Sequence, residues 1–326
     1  MSFLMEKLLS IKPDEVTLSR RGFRVPRRAS VREHLECVGE SFRQGYQAAL
    51  ESAHWSELPS RLASVELEFR GFAYEGAAMA LNLLDQLRPW APRLFPAFLS
   101  GPGQRHIYMV HVGAGWSMAR LRLSLRRRLS KLDPVLGWLA LDGFGFHEGY
   151  FHWPWYANGT HRPAVLQGYA LRAFDQGLGR SLWFISGADP QWISRVISAF
   201  PENRRGDLWS GVGLACSYAG GCDEAEIVSL QELAAGYECH LAQGAVFAAK
   251  TREYAGNATL HTESACRILC GLSLYQAAVI ADETLWQATE AAEPAYEDWR
   301  YRIRWHFRSS KESTFRNMKG LRPIAQ

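Results

Sequence analysis

The sequence predicts an all-α or predominantly α fold of stacked helical hairpins, which at its fullest becomes a helical-repeat-like superhelix enclosing an apolar cavity. Three observations carry this. Long apolar runs recur from about Glu66 onward, and in several of them Ala, Leu and Met outnumber β-branched residues. Each run contains glycine; Gly76, Gly115, Gly149, Gly177, Gly211, Gly244 and Gly271 recur on average about every 33 residues, near the length of a helix-hairpin repeat. Strong breakers cut the chain between the runs into helix-sized pieces.

In chain order, residues 1–60 read as a basic arm and a helix. Arg20, Arg21, Arg24, Arg27 and Arg28 surround Pro26, and a helix-like stretch follows from Ser30 to Ala53. Residues 61–295 read as the main helical domain. Its runs are FRGFAYEGAAMALNLLDQL, HVGAGWSMARLRL, GFGFHEGYFHW, RAFDQGLGRSLWFI, DLWSGVGLACSYAG, ECHLAQGAVFAAK and SACRILCGLSLYQAA. Pro89 and Pro92, Gly101 to Gly103, Asp133-Pro134, Asn158-Gly159, Pro201, Gly220-Gly221 and Gly256-Asn257 separate them. Asp189-Pro190 reads as an N-cap with proline in the first turn. The segment from Asp223 to Lys250 reads as one amphipathic helix or two in close succession. Strand-like alternation appears only at YMVHV, 108–112, and at YRIRWHF, 301–307. The second lies in a basic C-terminal tail, 296–326, and its period of two argues an extended edge.

Composition bounds the function. Of 326 residues 47% are hydrophobic and 21% charged, so the chain is globular, and a net charge of +4 gives no basic field of the kind that tracks nucleic acid. No window is long and apolar enough for a membrane helix, and the first fifteen residues lack a signal-peptide core; a cytoplasmic location is expected. Six cysteines without a C-x-x-C pair suggest neither a disulfide scaffold nor structural zinc. No cofactor motif is found: at 108–121 Gly113 and Gly115 imitate a dinucleotide turn, but Met118 occupies the third small position.

Polar residues inside apolar helices mark the candidate site. Asp142, His147, Glu148 and His152 lie among aromatic residues in LDGFGFHEGYFHWPWY, 141–156, with Phe146 and Tyr150 as possible ligand-facing rings. Glu148 and His152 are four apart and share a helical face, the spacing of a general acid–base pair. On a regular helix His147 and His152 diverge by about 140°, so no metal site is expected from this segment. Asp175, Gln176, Arg180 and Trp183 form a second cluster, suited to holding an anionic or polar group, and Glu75 with Asn82 forms a similar stripe. An acidic or amide residue precedes glycine at Glu75, Glu148, Gln176 and Gln243. If each glycine lies at a close helix contact, the residue before it turns sideways into a shared interior. Binding or salt-bridge packing both satisfy these patterns.

The ordered series RGF, FRGFAYEGAAMAL, MVHVGAGWSMAR, LDGFGFHEGYFHW, FDQGLGRSLWF, DLWSGVGLACSYAGG and HLAQGAVFAA resembles a bacterial family of unknown function that accompanies the conserved enediyne polyketide cassette, over about residues 20–305. The resemblance implies a role in enediyne biosynthesis between release of a linear polyene and completion of the enediyne core. It transfers no catalytic residue. The implied partners are a hydrophobic polyene or polyketide-derived molecule and, at the protein level, other cassette proteins or an acyl carrier domain. Three readings stay open: an enzyme acting on the polyene, a non-catalytic scaffold or binding protein, and an isoprenoid-type cyclase that lacks the Asp-rich motifs.

Overall fold

The computed structural model describes residues 9–51, 57–121, 125–289 and 294–320, with side chains as far as residue 308. Among these residues there are sixteen α-helices and no strand. Eight are long: α1 Ala29–Glu51, α2 Arg70–Leu87, α3 Ile107–Leu121, α4 Leu139–Tyr156, α5 Tyr169–Ile185, α6 Glu202–Ala219, α7 Glu238–Ala255 and α8 Ala295–Gly320.

Each of α1 to α7 packs against the next in sequence. The row then closes on itself. His34 on α1 donates from Nε2 to the Ala219 carbonyl at the end of α6, at 2.6 Å. Arg252 on α7 donates to the Glu68 carbonyl just before α2, at 2.6 Å. The Phe72 and Tyr218 rings meet edge to face at 5.2 Å. The helices therefore surround a common interior, as the superhelical expectation required.

Glycine sets the helix spacing, in a register the sequence shows only partly. A Cβ on Gly177 would lie 1.7 Å from the Asp142 carbonyl oxygen, and one on Gly211 1.9 Å from that of Gln176. Gly45, Gly76, Gly113, Gly115, Gly143, Gly145, Gly179, Gly213 and Gly244 make equally close approaches to a neighbouring backbone. Any side chain there would force the axes apart. Two glycines of the expected series do not belong. Gly149 faces the Ser181 side chain, and Gly271, at φ 69°, ends a short helix with nothing close to it.

Other local signals hold. Asp189 accepts from the Trp192 amide at 3.1 Å, and Pro190 opens the helix that follows. The stretch from Asp223 forms two helices, 224–233 and α7, parted near Gly236 at φ 85°. The basic arm is docked, with the Arg24 amide donating to Ile185 O at 2.9 Å and Arg28 paired to Asp223 at 2.7 Å.

Both strand-like segments are helical. Residues 108–112 lie in α3, where Gly113 and Gly115 serve helix packing and form no dinucleotide turn. Residues 301–307 lie in α8, so the extended edge is replaced by a helix whose buried face is Tyr296, Trp299, Arg300, Ile303 and Arg304. The spacing of three and four overrode the alternation because Arg300 and Arg304 turn inward to carboxylates: Arg300 to Asp207 at 2.8 Å and Arg304 to Glu297 at 2.6 Å. The basic run Arg120 to Lys131 includes residues 122–124, which lie outside the described residues.

Candidate functional site

The residue before a crossing glycine is rotated about 100° from it, which turns it off the helix contact, outward to solvent at Gln44 before Gly45 and toward the interior at five other crossings. Glu75, Asp142, Gln176, Ser210 and Gln243 all occupy this position and all are buried. They join into one hydrogen-bonded spine. Arg180 pairs with Asp142 and lies 3.9 Å from Glu75. Gln176 donates to Asp142 at 2.8 Å and to the Tyr296 hydroxyl at 3.1 Å. Ser210 donates to Gln243 at 2.8 Å, and Gln243 accepts from Arg300 at 3.2 Å. The spine ends where Arg172 and Arg300 neutralise Asp207 and Glu297. Expected polar predecessors of glycine thus converge, except Glu148, whose Gly149 makes no backbone crossing.

Two apolar chambers flank this spine. One is lined by Phe42, Trp116, Phe146, Tyr150 and Phe151, with Ile11 and Val16 of the N-terminal segment along its wall. The other is lined by Tyr108, Met109, Leu139, Tyr218 and Phe247, with Trp299 of α8 along its wall. Phe72, Arg180 and Phe184 line both, so the chambers adjoin at a waist. The guanidinium of Arg180 lies over the Phe146 ring at 4.9 Å, giving the waist a cation on an aromatic wall.

Glu75 lines the first chamber beside that waist. Its Oε1 accepts from Trp116 Nε1 at 2.9 Å. Burial pushes the carboxyl up to about 7, against the opposing pull of Arg180 and the Trp116 hydrogen bond. Arg180 stays charged: burial disfavours the cation, but Asp142 and Glu75 together outweigh it and raise its pKa. Glu75 is therefore a carboxyl able to give or take a proton near neutral pH on an otherwise apolar wall.

The expected acid–base pair lies elsewhere, at the end of α4. Pro154 removes a backbone donor and crowds the preceding turn, and the helix breaks at His152, φ −129° and ψ 25°. The break undoes the expected divergence of the histidines. His147 Nδ1 is 3.5 Å and His152 Nδ1 3.4 Å from the same Glu148 oxygen, Oε1. Tyr156 donates to the other oxygen, Oε2, at 2.9 Å. None of the three lines either chamber; His147 touches the chamber wall through Trp116, ring centroids 5.7 Å apart and edge to face.

The remaining expected residues separate. Phe146, Tyr150, Glu75 and Arg180 face the chambers, and Asp142 and Gln176 hold Arg180 and Tyr296 from behind. Asp175 is paired with Arg204 at 2.9 Å, and that guanidinium also holds the Gly159 carbonyl; Asp175 lines neither chamber. Trp183 donates to the Gly220 carbonyl at 2.8 Å and lines neither chamber. Asn82 is spent on Ser117 at 2.8 Å. Sequence reasoning missed Trp116, Tyr156 and Arg300. The first two had no signal beyond being aromatic, and Arg300 was hidden by the alternation of the tail.

The chain belongs to the DUF1702 family, described as proteins of unknown function, whose model matches residues 1–307. No curated protein and no solved structure matches it. No single helix among the described residues is long and apolar enough to cross a membrane.

Proposed function

We propose that the protein binds a slender hydrophobic polyene in the adjoining chambers and that Glu75 exchanges a proton with it at the waist. The observation that carries this reading is one buried carboxyl, poised near neutrality, on an apolar and aromatic wall where the two chambers meet. Two adjoining apolar chambers lined by aromatic rings suit an extended conjugated chain. Protonation of a terminal polyene carbon by the Glu75 carboxyl would leave a delocalised cation between Trp116, Phe146 and the carboxylate. Return of a proton from another carbon to Glu75 completes a double-bond shift with no change in mass. The resemblance to the enediyne-associated family supports a polyene released by the iterative synthase as the ligand, handled on the way to an enediyne core. Arg180, held by Asp142, then serves to keep Glu75 oriented and to set its proton affinity.

The test is to mix the purified protein with a synthase-derived linear polyene, following tryptophan quenching, polyene absorbance and product mass. Binding should quench, and the wild-type chain should shift the absorption while the Glu75→Gln variant binds without shifting it. Equal conversion by both proteins would remove Glu75 from the chemistry, and binding without conversion by either would leave a carrier. Absence of quenching would remove the polyene.

A further inference from the structure

The broken end of α4 gathers three metal-ligating atoms that the chambers do not use. One ligand atom each of His147, Glu148 and His152 lies within 4.8 Å of the others, and the two Nδ1 atoms are 3.5 and 3.4 Å from Glu148 Oε1. An ion bound at about 2.0–2.1 Å to nitrogen and oxygen with tetrahedral angles holds its donors about 3.4 Å apart. Each imidazole is thus spaced from the carboxylate as a ligand would be. Beyond the shared approach to Glu148 Oε1, neither Nδ1 has a hydrogen-bond partner among the described residues, both are shielded from water, and His147 as a whole is only 7% exposed. Two buried nitrogens that share one carboxylate oxygen give up their hydration for a single neighbour, an uncommon arrangement.

We infer that His147, Glu148 and His152 form a binding site for a divalent first-row transition ion of the zinc class. The donor set supports that class. Two imidazoles and one carboxylate suit borderline ions, whereas calcium and magnesium take shells of oxygen. Tyr156 fixes the carboxylate from behind through Oε2, the role an outer partner plays at a metal centre. Trp155 stacks on the His152 ring at 4.8 Å and 10°, which fixes the ring plane. The His152 side chain is 30% exposed, which places the site next to the protein surface. Pro154 is part of the device, since the break it causes brings the second imidazole round to the first. This site is independent of Glu75 and of the polyene reading.

A second set of donors, Cys216, Cys222 and His261, sets the control. Their ligand atoms are also within 4.8 Å of one another, and the two sulfurs are 3.9 Å apart. The experiment strips the full chain with chelator and titrates it with Co²⁺ alone, reading visible absorption. One equivalent should develop the ligand-field bands of low-coordinate Co²⁺ without thiolate charge transfer, and Zn²⁺ should displace it. His152→Asn and Glu148→Gln should each weaken uptake by more than about tenfold, while Cys222→Ser leaves it unchanged. His152 is the least buried of the three, and circular dichroism of each variant shows whether it is folded. No uptake by the wild-type chain overturns the inference. So does equal uptake by a folded His152→Asn or Glu148→Gln variant, or a charge-transfer band that Cys222→Ser abolishes.

Discussion

Replacing Glu75 by Gln separates a proton-exchanging carboxyl from a packed polar group. In the folded protein the carboxyl is raised from 4.5 to about 7, chiefly by burial. Between those values the folded state keeps a proton that the unfolded chain has already lost. Unfolding free energy therefore falls as pH rises through this window; the penalty is absent below about 4.5 and complete above about 7. At about 1.36 kcal/mol per pH unit the full effect is about 3 kcal/mol, an order-of-magnitude figure for a group wholly out of water. Gln keeps the shape, still accepts from Trp116, and has nothing to titrate. Urea unfolding at a series of pH values from 4.5 to 8.5 should show the wild-type curve dropping relative to the variant. The two should be similar near pH 5, with the variant ahead by about 3 kcal/mol at pH 8. Parallel curves would mean that Glu75 is already ionised at pH 5, and the reasoning about a neutral-pH proton donor would fail.

Removing the charge at the waist should act in the opposite sense. Arg180→Met leaves Asp142 buried without its cation, and thermal unfolding should report a loss of about 3 to 5 kcal/mol. Gly177→Ala places a methyl against the Asp142 carbonyl, which cannot move without parting α4 from α5. Its denaturation midpoint should fall by about 3 kcal/mol or the chain should not fold, while Gly149→Ala, which meets a rotatable Ser181 hydroxyl, should cost clearly less. Pro154→Ala should let α4 run on as a regular helix, turning His152 away from His147. The Co²⁺ affinity should then drop as it does in His152→Asn, with little change in melting temperature, and unchanged affinity would separate the kink from the site.

Much of the candidate site could be read in sequence because one rule generated it. A polar residue before a helix-crossing glycine turns off the contact and, inside an apolar run, faces inward; Glu75, Gln176 and Gln243 were recognisable on that ground, whereas Gln44 before Gly45, in the amphipathic α1, is exposed. The same rule misplaced Glu148, because Gly149 looks like the other glycines in sequence yet meets a side chain instead of a backbone. Asp142 and Ser210 obey the rule but could be assigned only once Gly143 and Gly211 were seen at crossings. Asp175 and Trp183 looked like ligand-binding groups. Their partners, Arg204 and the Gly220 carbonyl, are 29 and 37 residues away, beyond the reach of any local pattern.

The sequence by itself determined what depends on near neighbours along the chain: the helical class, the Asp189 cap, the break near Gly236 and the burial of polar groups beside glycine. These follow from backbone sterics and from a period of 3.6 residues, which act within a few positions. The tertiary structure alone decided the closure of the helical row, the division of its interior into two chambers, the inward turn of Arg300 and Arg304, and the convergence of both histidines on Glu148. The first three depend on which distant groups are brought close enough to satisfy charge and exclude water. The last depends on a helix break whose direction Pro154 permits, and which the packing around Tyr156 and Trp155 fixes.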